Sequence, residues 1–143
     1  MLQGMTRSLS CLLVDDSRPI LDALRRLLVD EGYEVAAVAE TGEQALERLA
    51  GKPVDVVVLD FRLPGISGLE VARRAAAIST SSIVFYTSYA DEPFVWDAFD
   101  AGAHAVVLKD APPANLLEAL AAVATGETYL DPQLVSLRKQ GAG

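Results

Sequence analysis

Cysteine is nearly absent from this chain, with one residue among 143. A single cysteine, Cys11, cannot form an intramolecular disulfide, so we expect a cytoplasmic protein in a reducing environment. No neighbour in the sequence would lower the pKa of its thiol. Cys11 is therefore interpreted as a small residue packed in a strand and not as a reactive group.

Basic residues and long apolar runs are also scarce. Twelve Lys and Arg stand against twenty Asp and Glu, which gives a formal net charge of −8. This balance argues against direct nucleic acid binding by the domain, because phosphate contacts need a basic surface. No apolar stretch approaches the roughly 20 residues of a membrane-spanning helix, and residues 1–10 lack the layout of a signal peptide. We expect a single globular domain with no membrane partner.

Strand-like and helix-like segments alternate five times along the chain. Alternation of this kind requires right-handed crossovers and a parallel sheet with helices on both faces, which is a three-layer, doubly wound α/β domain. Proline at position 132 suggests one more short helix in the tail. The predicted strands are residues 9–14, 34–38, 54–59, 82–86 and 105–108.

Acidic residues follow two of the apolar runs. Asp15 and Asp16 close the first strand, and Asp60 closes the third. The carboxyl ends of parallel strands form the crevice in which ligands bind. Three carboxylates there would repel one another unless a cation lies between them, and oxygen ligands suit Mg²⁺.

A hydroxyl and an ammonium complete this strand edge. Thr87 ends the fourth strand and Lys109 ends the fifth. Phosphoryl transfer needs such a set, because its catalysis consists mainly of positioning and charge neutralisation. Asp60 would be both metal ligand and nucleophile, while Thr87 and Lys109 would bind phosphoryl oxygens.

The chain resembles the receiver domains of two-component response regulators. The resemblance lies in four motifs in this order: 13–16 (LVDD), 60–70 (DFRLPGISGLE), 86–88 (YTS) and 108–110 (LKD). It implies a flavodoxin-like five-stranded sheet with strand order 2-1-3-4-5. It covers residues 9–126, and residues 127–143 are expected to be a C-terminal extension or the start of an interdomain linker.

The family resemblance also implies residue roles. Asp60 would accept the phosphoryl group from a sensor histidine kinase, with Thr87 and Lys109 as its phosphate-binding partners. Asp15, Asp16 and Asp60 would hold Mg²⁺ together with the main-chain carbonyl of Arg62. The expected activity is limited to self-phosphotransfer and autodephosphorylation, so the chain would not be an enzyme in the usual sense.

Residues 108–110 and 126–132 are similar to the NarL/LuxR-type branch, whose receivers precede a helix-turn-helix domain. No such domain follows here, so any DNA contact would come from a domain absent from this chain. Transcription is the expected output, and the face around the fourth and fifth helices is the expected contact surface, with a second copy of the chain as a candidate partner. A stand-alone receiver and a piece of a longer regulator are both open, and the tail favours the latter.

Two positions, Val106 and Asp110, depart from the pattern of many receivers. Val106 replaces the Tyr or Phe of the usual switch, and nearby Tyr86, Tyr89 or Phe99 are weaker candidates for its role. Asp110 replaces the proline after the lysine, so we expect a trans bond there. Arg62 and Tyr89 are large residues at the positions that set phosphoryl lifetime, which predicts slow autodephosphorylation.

Other functions fit the sequence less well. An aspartyl phosphatase needs a second acid where Arg62 stands, and a nucleotide hydrolase needs a phosphate-binding loop that the sequence lacks. Flavin phosphate would be repelled by Asp15 and Asp16. A phosphate-independent interaction module remains an alternative, with Val106 as its only support.

Overall fold

The computed structural model describes residues 9–135, which form a parallel sheet with helices on both faces. The strands are β1 (Ser10–Val14), β2 (Glu34–Ala39), β3 (Val56–Leu59), β4 (Ser82–Thr87), β5 (Ala105–Leu108) and β6 (Tyr129–Leu130). The helices are α1 (Arg18–Asp30), α2 (Gly42–Gly51), α3 (Gly68–Ile78), α4 (Glu92–Asp100) and α5 (Pro113–Ala124).

Two hydrophobic clusters lie on opposite faces of the sheet. One face packs against α1 and α5, through residues such as Leu24, Leu28 and Leu120. The other packs against α2, α3 and α4, through residues such as Leu49 and Val71. The inner strands are buried on both faces, which explains why they read as continuous apolar runs.

Side-chain caps begin four of the helices, because the first N–H groups of a helix have no intrahelical acceptor. Ser17, Thr41, Ser67 and Asp91 each accept a bond from the main-chain N–H three residues later. Only half of a capping box forms at α3, because the carboxylate of Glu70 pairs with Arg74 at 2.9 Å instead of reaching back.

The prediction of five strands is wrong by one. The sheet has six strands in the order 2-1-3-4-5-6, because Tyr129 and Leu130 pair in parallel with Ala105 and Val106. The order of the first five strands is as expected. A two-residue strand bounded by Asp131 and a proline carries too short a pattern to be recognised in the sequence.

The tail forms one further structured turn. Residues 132–135 are helical, as the proline at position 132 suggested. Leu134 is buried in the same core cluster as α3 and α4. Nowhere in residues 9–135 does a helix have the length and apolar character needed to cross a membrane.

Candidate functional site: an acidic cleft at the carboxyl edge of the sheet

Main-chain hydrogen bonds align the strand ends that carry the predicted site. The N–H of Asp60 donates to the carbonyl of Val14 at 3.0 Å, so the residue after β3 lies beside the end of β1. The N–H of Lys109 donates to the carbonyl of Thr87 at 2.8 Å, which joins the ends of β5 and β4 in the same way. The parallel register therefore brings all the predicted strand-end residues to one edge.

Three carboxylates form a cluster at this edge. One oxygen from each of Asp15, Asp16 and Asp60 lies within 4.8 Å of the others. Asp15 and Asp60 are buried, with 1% and 7% of their surface exposed, and Asp16 faces solvent. The N–H of Ser17 donates to Oδ1 of Asp15 at 2.9 Å, which fixes the orientation of that carboxylate.

Lys109 compensates the charge of the two buried carboxylates. Its Nζ lies 2.6 Å from Oδ2 of Asp15 and 3.1 Å from Oδ2 of Asp60. Burial lowers the pKa of Lys109, but the hydrogen bond to Asp15 and the charge of Asp60 outweigh burial, so its pKa is raised. Burial raises the pKa of Asp15 above its ordinary value, although the bonds from Lys109 and Ser17 oppose this shift. The ammonium therefore stays charged at neutral pH.

Thr87 and Asp60 line one small cleft of about 280 Å³. Arg62, Ser88 and Tyr89 form the rest of its wall. Thr87 is buried, and its hydroxyl donates a long bond of 3.4 Å to the carbonyl of Tyr89. The cleft has room for an anion beside the carboxylate of Asp60.

The loop after Asp60 packs tightly against the start of α3. A Cβ atom built on Gly68 would lie 2.8 Å from Cα of Phe61 and would also collide with the carbonyl oxygen of Asp60. Only glycine permits this approach, and it holds the backbone of Asp60 in place. The rings of Phe61 and Phe94 are tilted by 60° with their centroids 4.7 Å apart, and Phe94 meets Phe85 edge-on at 5.3 Å.

Val106 is fully buried in the core beneath this edge. Of the candidate substitutes, Tyr89 is exposed, while Tyr86 and Phe99 are partly buried on opposite faces of the sheet. The described aromatic contacts near the site instead join Phe61, Phe94 and Phe85. The Lys109–Asp110 bond is trans, as expected, since no peptide bond in residues 9–135 is cis.

Asp15, Asp16 and Asp60 fit a hard divalent cation. They supply only oxygen atoms, they converge within a few ångströms, and three carboxylates share the single ammonium of Lys109. Receiver domains typically bind Mg²⁺ at an acidic pocket of this kind. Arg62 and Asp16 also line a second cleft at this edge of the sheet.

The family model for the response regulator receiver domain matches residues 11–121. The chain therefore belongs to the response regulator receiver domain family, a signalling family whose response regulators are activated by phosphorylation. Proteins of this family partner with sensor kinases and form dimers.

Two curated relatives are similar over most of this chain. The response regulator UvrY of Escherichia coli (strain K12) is 33% identical over 124 residues, which cover 85% of this chain and 57% of UvrY. The transcriptional activator protein ExaE of Pseudomonas putida is 37% identical over 128 residues, which cover 87% of this chain and 59% of ExaE. The chain thus spans little more than half the length of these relatives.

A solved structure gives a similar picture of the fold. The two-component response regulator of the LuxR family from Aurantimonas sp. SI85-9A1 superposes with a TM-score of 0.90 at 29% identity. The match covers 95% of this chain and 99% of that one. The fold is thus flavodoxin-like, in the manner of other receiver domains.

One residue near the site escaped the sequence analysis. Asp131 is fully buried, and its Oδ2 accepts the N–H of Leu108, the residue before Lys109. An Asp-Pro pair reads as a helix start, which is correct here. Nothing in the sequence shows that the same carboxylate also reaches β5.

Proposed function

We propose that Asp60 accepts a phosphoryl group from a sensor histidine kinase and that the added charge switches the conformation of the chain. One observation carries the proposal. The carboxylate of Asp60 lies between the ammonium of Lys109, at 3.1 Å, and a cleft that also contains Thr87. The nucleophile therefore contacts a compensating cation and shares a small cleft with a hydroxyl donor.

The proposed step is a simple displacement at phosphorus. A carboxylate oxygen of Asp60 forms a bond to the phosphorus of the donor, and the bond from phosphorus to the leaving group breaks. The leaving group keeps the electron pair and takes a proton from water. Lys109 then turns its ammonium toward a phosphoryl oxygen, and the hydroxyl of Thr87 donates to another.

Asp15, Asp16, Asp60 and the main-chain carbonyl of Arg62 are the proposed ligands of Mg²⁺. The ion would supply positive charge that offsets the phosphoryl oxygens against the acidic edge. The oxygen-only character and convergence of the three carboxylates support this assignment.

Transcription is the proposed output. ExaE is a transcriptional activator by name, and the similar solved structure belongs to the LuxR family. We propose residues 9–126 as the receiver domain and residues 127–143 as a connection toward an output domain; the first part of this connection packs on the receiver through β6. A second copy of the chain is the proposed partner of the phosphorylated form.

Arg62 and Tyr89 are the proposed determinants of phosphoryl lifetime. Both line the cleft that contains Asp60. Their bulk at the mouth of the cleft would hinder the approach of water in line with the acyl phosphate. We expect autodephosphorylation to be slow, and truncation of Tyr89 to alanine to accelerate it.

Intact mass measurement tests the proposal. Wild type, Asp60→Asn and the matched control Asp100→Asn are incubated with acetyl phosphate, with magnesium or with EDTA. Asp100 is an exposed carboxylate at the end of α4, far from the site in the fold. We expect one phosphoryl group on wild type and on Asp100→Asn, only with magnesium, and none on Asp60→Asn.

Equal gains by wild type and Asp60→Asn would contradict the assignment of the acceptor. The absence of any gain, with magnesium binding intact by calorimetry, would favour the phosphate-independent interaction module.

A further inference from the structure

Asp131 bonds to β5 on both sides of Val107. Its N–H donates to the carbonyl of Val106 at 2.9 Å, and its Oδ2 accepts the N–H of Leu108 at 3.2 Å. In a parallel ladder a residue makes these two bonds with its own N–H and its own carbonyl. At Asp131 the side chain replaces the main-chain carbonyl as acceptor.

The carbonyl of Asp131 has turned toward the helical turn that follows. It accepts the N–H groups of Leu134 at 2.8 Å and Val135 at 3.1 Å, while Oδ1 accepts the N–H of Gln133 at 3.0 Å. The amide of Asn115 on α5 lies 3.4 Å from both carboxylate oxygens. Asp131 is thus both the last partner of β5 and the N-cap of residues 132–135.

The residue that bonds to Asp131, Leu108, lies next to the phosphoacceptor site. Leu108 immediately precedes Lys109, whose ammonium bridges Asp15 and Asp60 and whose N–H binds the carbonyl of Thr87. Contacts of Lys109 in the site and of Asp131 after β6 therefore both fix the end of β5. A movement of the backbone at Lys109 must change the bond from Leu108 to Asp131.

We propose that Asp131 couples the state of Asp60 to the C-terminal segment (residues 127–135). The inference rests on the proposed phosphorylation of Asp60. Phosphorylation converts the singly charged carboxylate of Asp60 into an acyl phosphate with about two negative charges and three terminal acceptor oxygens, which draw the ammonium of Lys109 away from the carboxylate of Asp15. Lys109 moves toward the cleft, the bond from Leu108 lengthens, and the C-terminal segment loosens.

This coupling takes the place of the aromatic switch that Val106 lacks. Val106 is buried, and its carbonyl accepts a hydrogen bond from the N–H of Asp131. This position of β5 is therefore hydrogen-bonded directly to the C-terminal segment. Residues 136–143 follow this segment in the sequence and belong to the proposed connection toward an output domain.

Amide hydrogen exchange measured by NMR tests the coupling. The reporter is the N–H of Asp131, which the hydrogen bond to β5 protects from exchange. Exchange is measured in the whole chain, with and without beryllofluoride and magnesium. Asp131→Ser keeps a hydroxyl that caps residues 132–135 but is too short to reach Leu108 as well. The matched control Leu134→Ala weakens the packing of the same segment and leaves the bond in place. Acetyl phosphate and intact mass verify that each variant still accepts a phosphoryl group.

In wild type we expect beryllofluoride to accelerate exchange at residue 131 by about fivefold, the effect of losing one buried hydrogen bond. Leu134→Ala should exchange faster from the start and show the same acceleration. Asp131→Ser should accept the phosphoryl group and show no further acceleration. A wild type that is phosphorylated without any change in this exchange, or an Asp131→Ser variant that responds as wild type does, would overturn the coupling alone. A wild type that gains no phosphoryl group would overturn the proposed function and the coupling together.

Discussion

Lys109 determines the charge balance of the site at the scale of single residues. Only 12% of its side chain is exposed, and it contacts Asp15 and Asp60, whose side chains are 2% and 9% exposed. Removing one partner of such a group leaves uncompensated charge out of water, which costs far more than an exposed ion pair would.

Replacing Lys109 with methionine keeps most of the length of the side chain and removes its charge. We expect the free energy of unfolding in EDTA to fall by about 3 kcal/mol, because Asp15 and Asp60 lose their counter-ion. Magnesium should then stabilise the variant more than it stabilises wild type. Urea denaturation with EDTA and with magnesium measures both effects. Equal stability of the variant and wild type in EDTA would contradict this account.

The reactivity of the Cys11 thiol tests the packing of β1. It is fully buried in β1, and burial, with the negative charges of Asp55 and Glu34, raises the pKa of its thiol to about 12. Since only the thiolate reacts, modification by Ellman's reagent at pH 8 should be at least about a thousandfold slower in the folded chain than in urea. One fast-reacting thiol per folded chain would show that β1 is not packed as described.

The junction of β3 and α3 is the critical contact at the scale of elements. Gly68 lies against the backbone of Asp60 and Phe61, with the ring of Phe85 3.1 Å from a built Cβ atom. Gly51 ends α2 with no atom within 4 Å of such a Cβ. The two glycines therefore differ in available space, although both lie in helices.

Alanine at each of these glycines separates packing from helix propensity. We expect Gly68→Ala to lose about 1–3 kcal/mol of stability and to take up phosphoryl groups more slowly, because the backbone of Asp60 must shift. Gly51→Ala should be neutral or gain up to about 1 kcal/mol. Urea denaturation and the rate of mass gain are the measurements. A Gly68→Ala variant that matches Gly51→Ala in both would refute the close-packed junction.

Most elements could be predicted from the sequence because their signals are local. Continuous apolar runs indicate β3 and β4. The convergence of Asp15, Asp60 and Lys109 follows from parallel strands alone. The half-formed box at Glu70 depends on competition from arginine side chains, and β6 depends on an edge of β5 that exists only once the sheet has formed. Tertiary contacts of this kind leave no pattern in the sequence.

The C-terminal segment packs against the rest of the molecule. Strand β6 covers the edge of β5, and Asp131 and Leu134 are buried. This packing bears on the predicted domain end at residue 126, which stays a prediction.

A chain that ends at Gly126 tests that boundary against a control chain that ends at Val135. We expect the shorter chain to lose about 3 kcal/mol of stability, since it exposes the apolar surface that Leu134 covers and leaves the end of β5 unpaired. Thermal and urea unfolding provide the comparison. Equal stability of the two chains would confirm residue 126 as the end of the folded unit.

Chemical trapping of the acyl phosphate shows which residue of the chain carries the phosphoryl group. Borohydride reduces an aspartyl phosphate to homoserine, so wild type treated with acetyl phosphate and magnesium is reduced, digested and sequenced by mass spectrometry. We predict homoserine at position 60 and unchanged aspartate at positions 15 and 16. Homoserine at either of those neighbours, or none anywhere in a chain that has gained a phosphoryl group, would contradict the account.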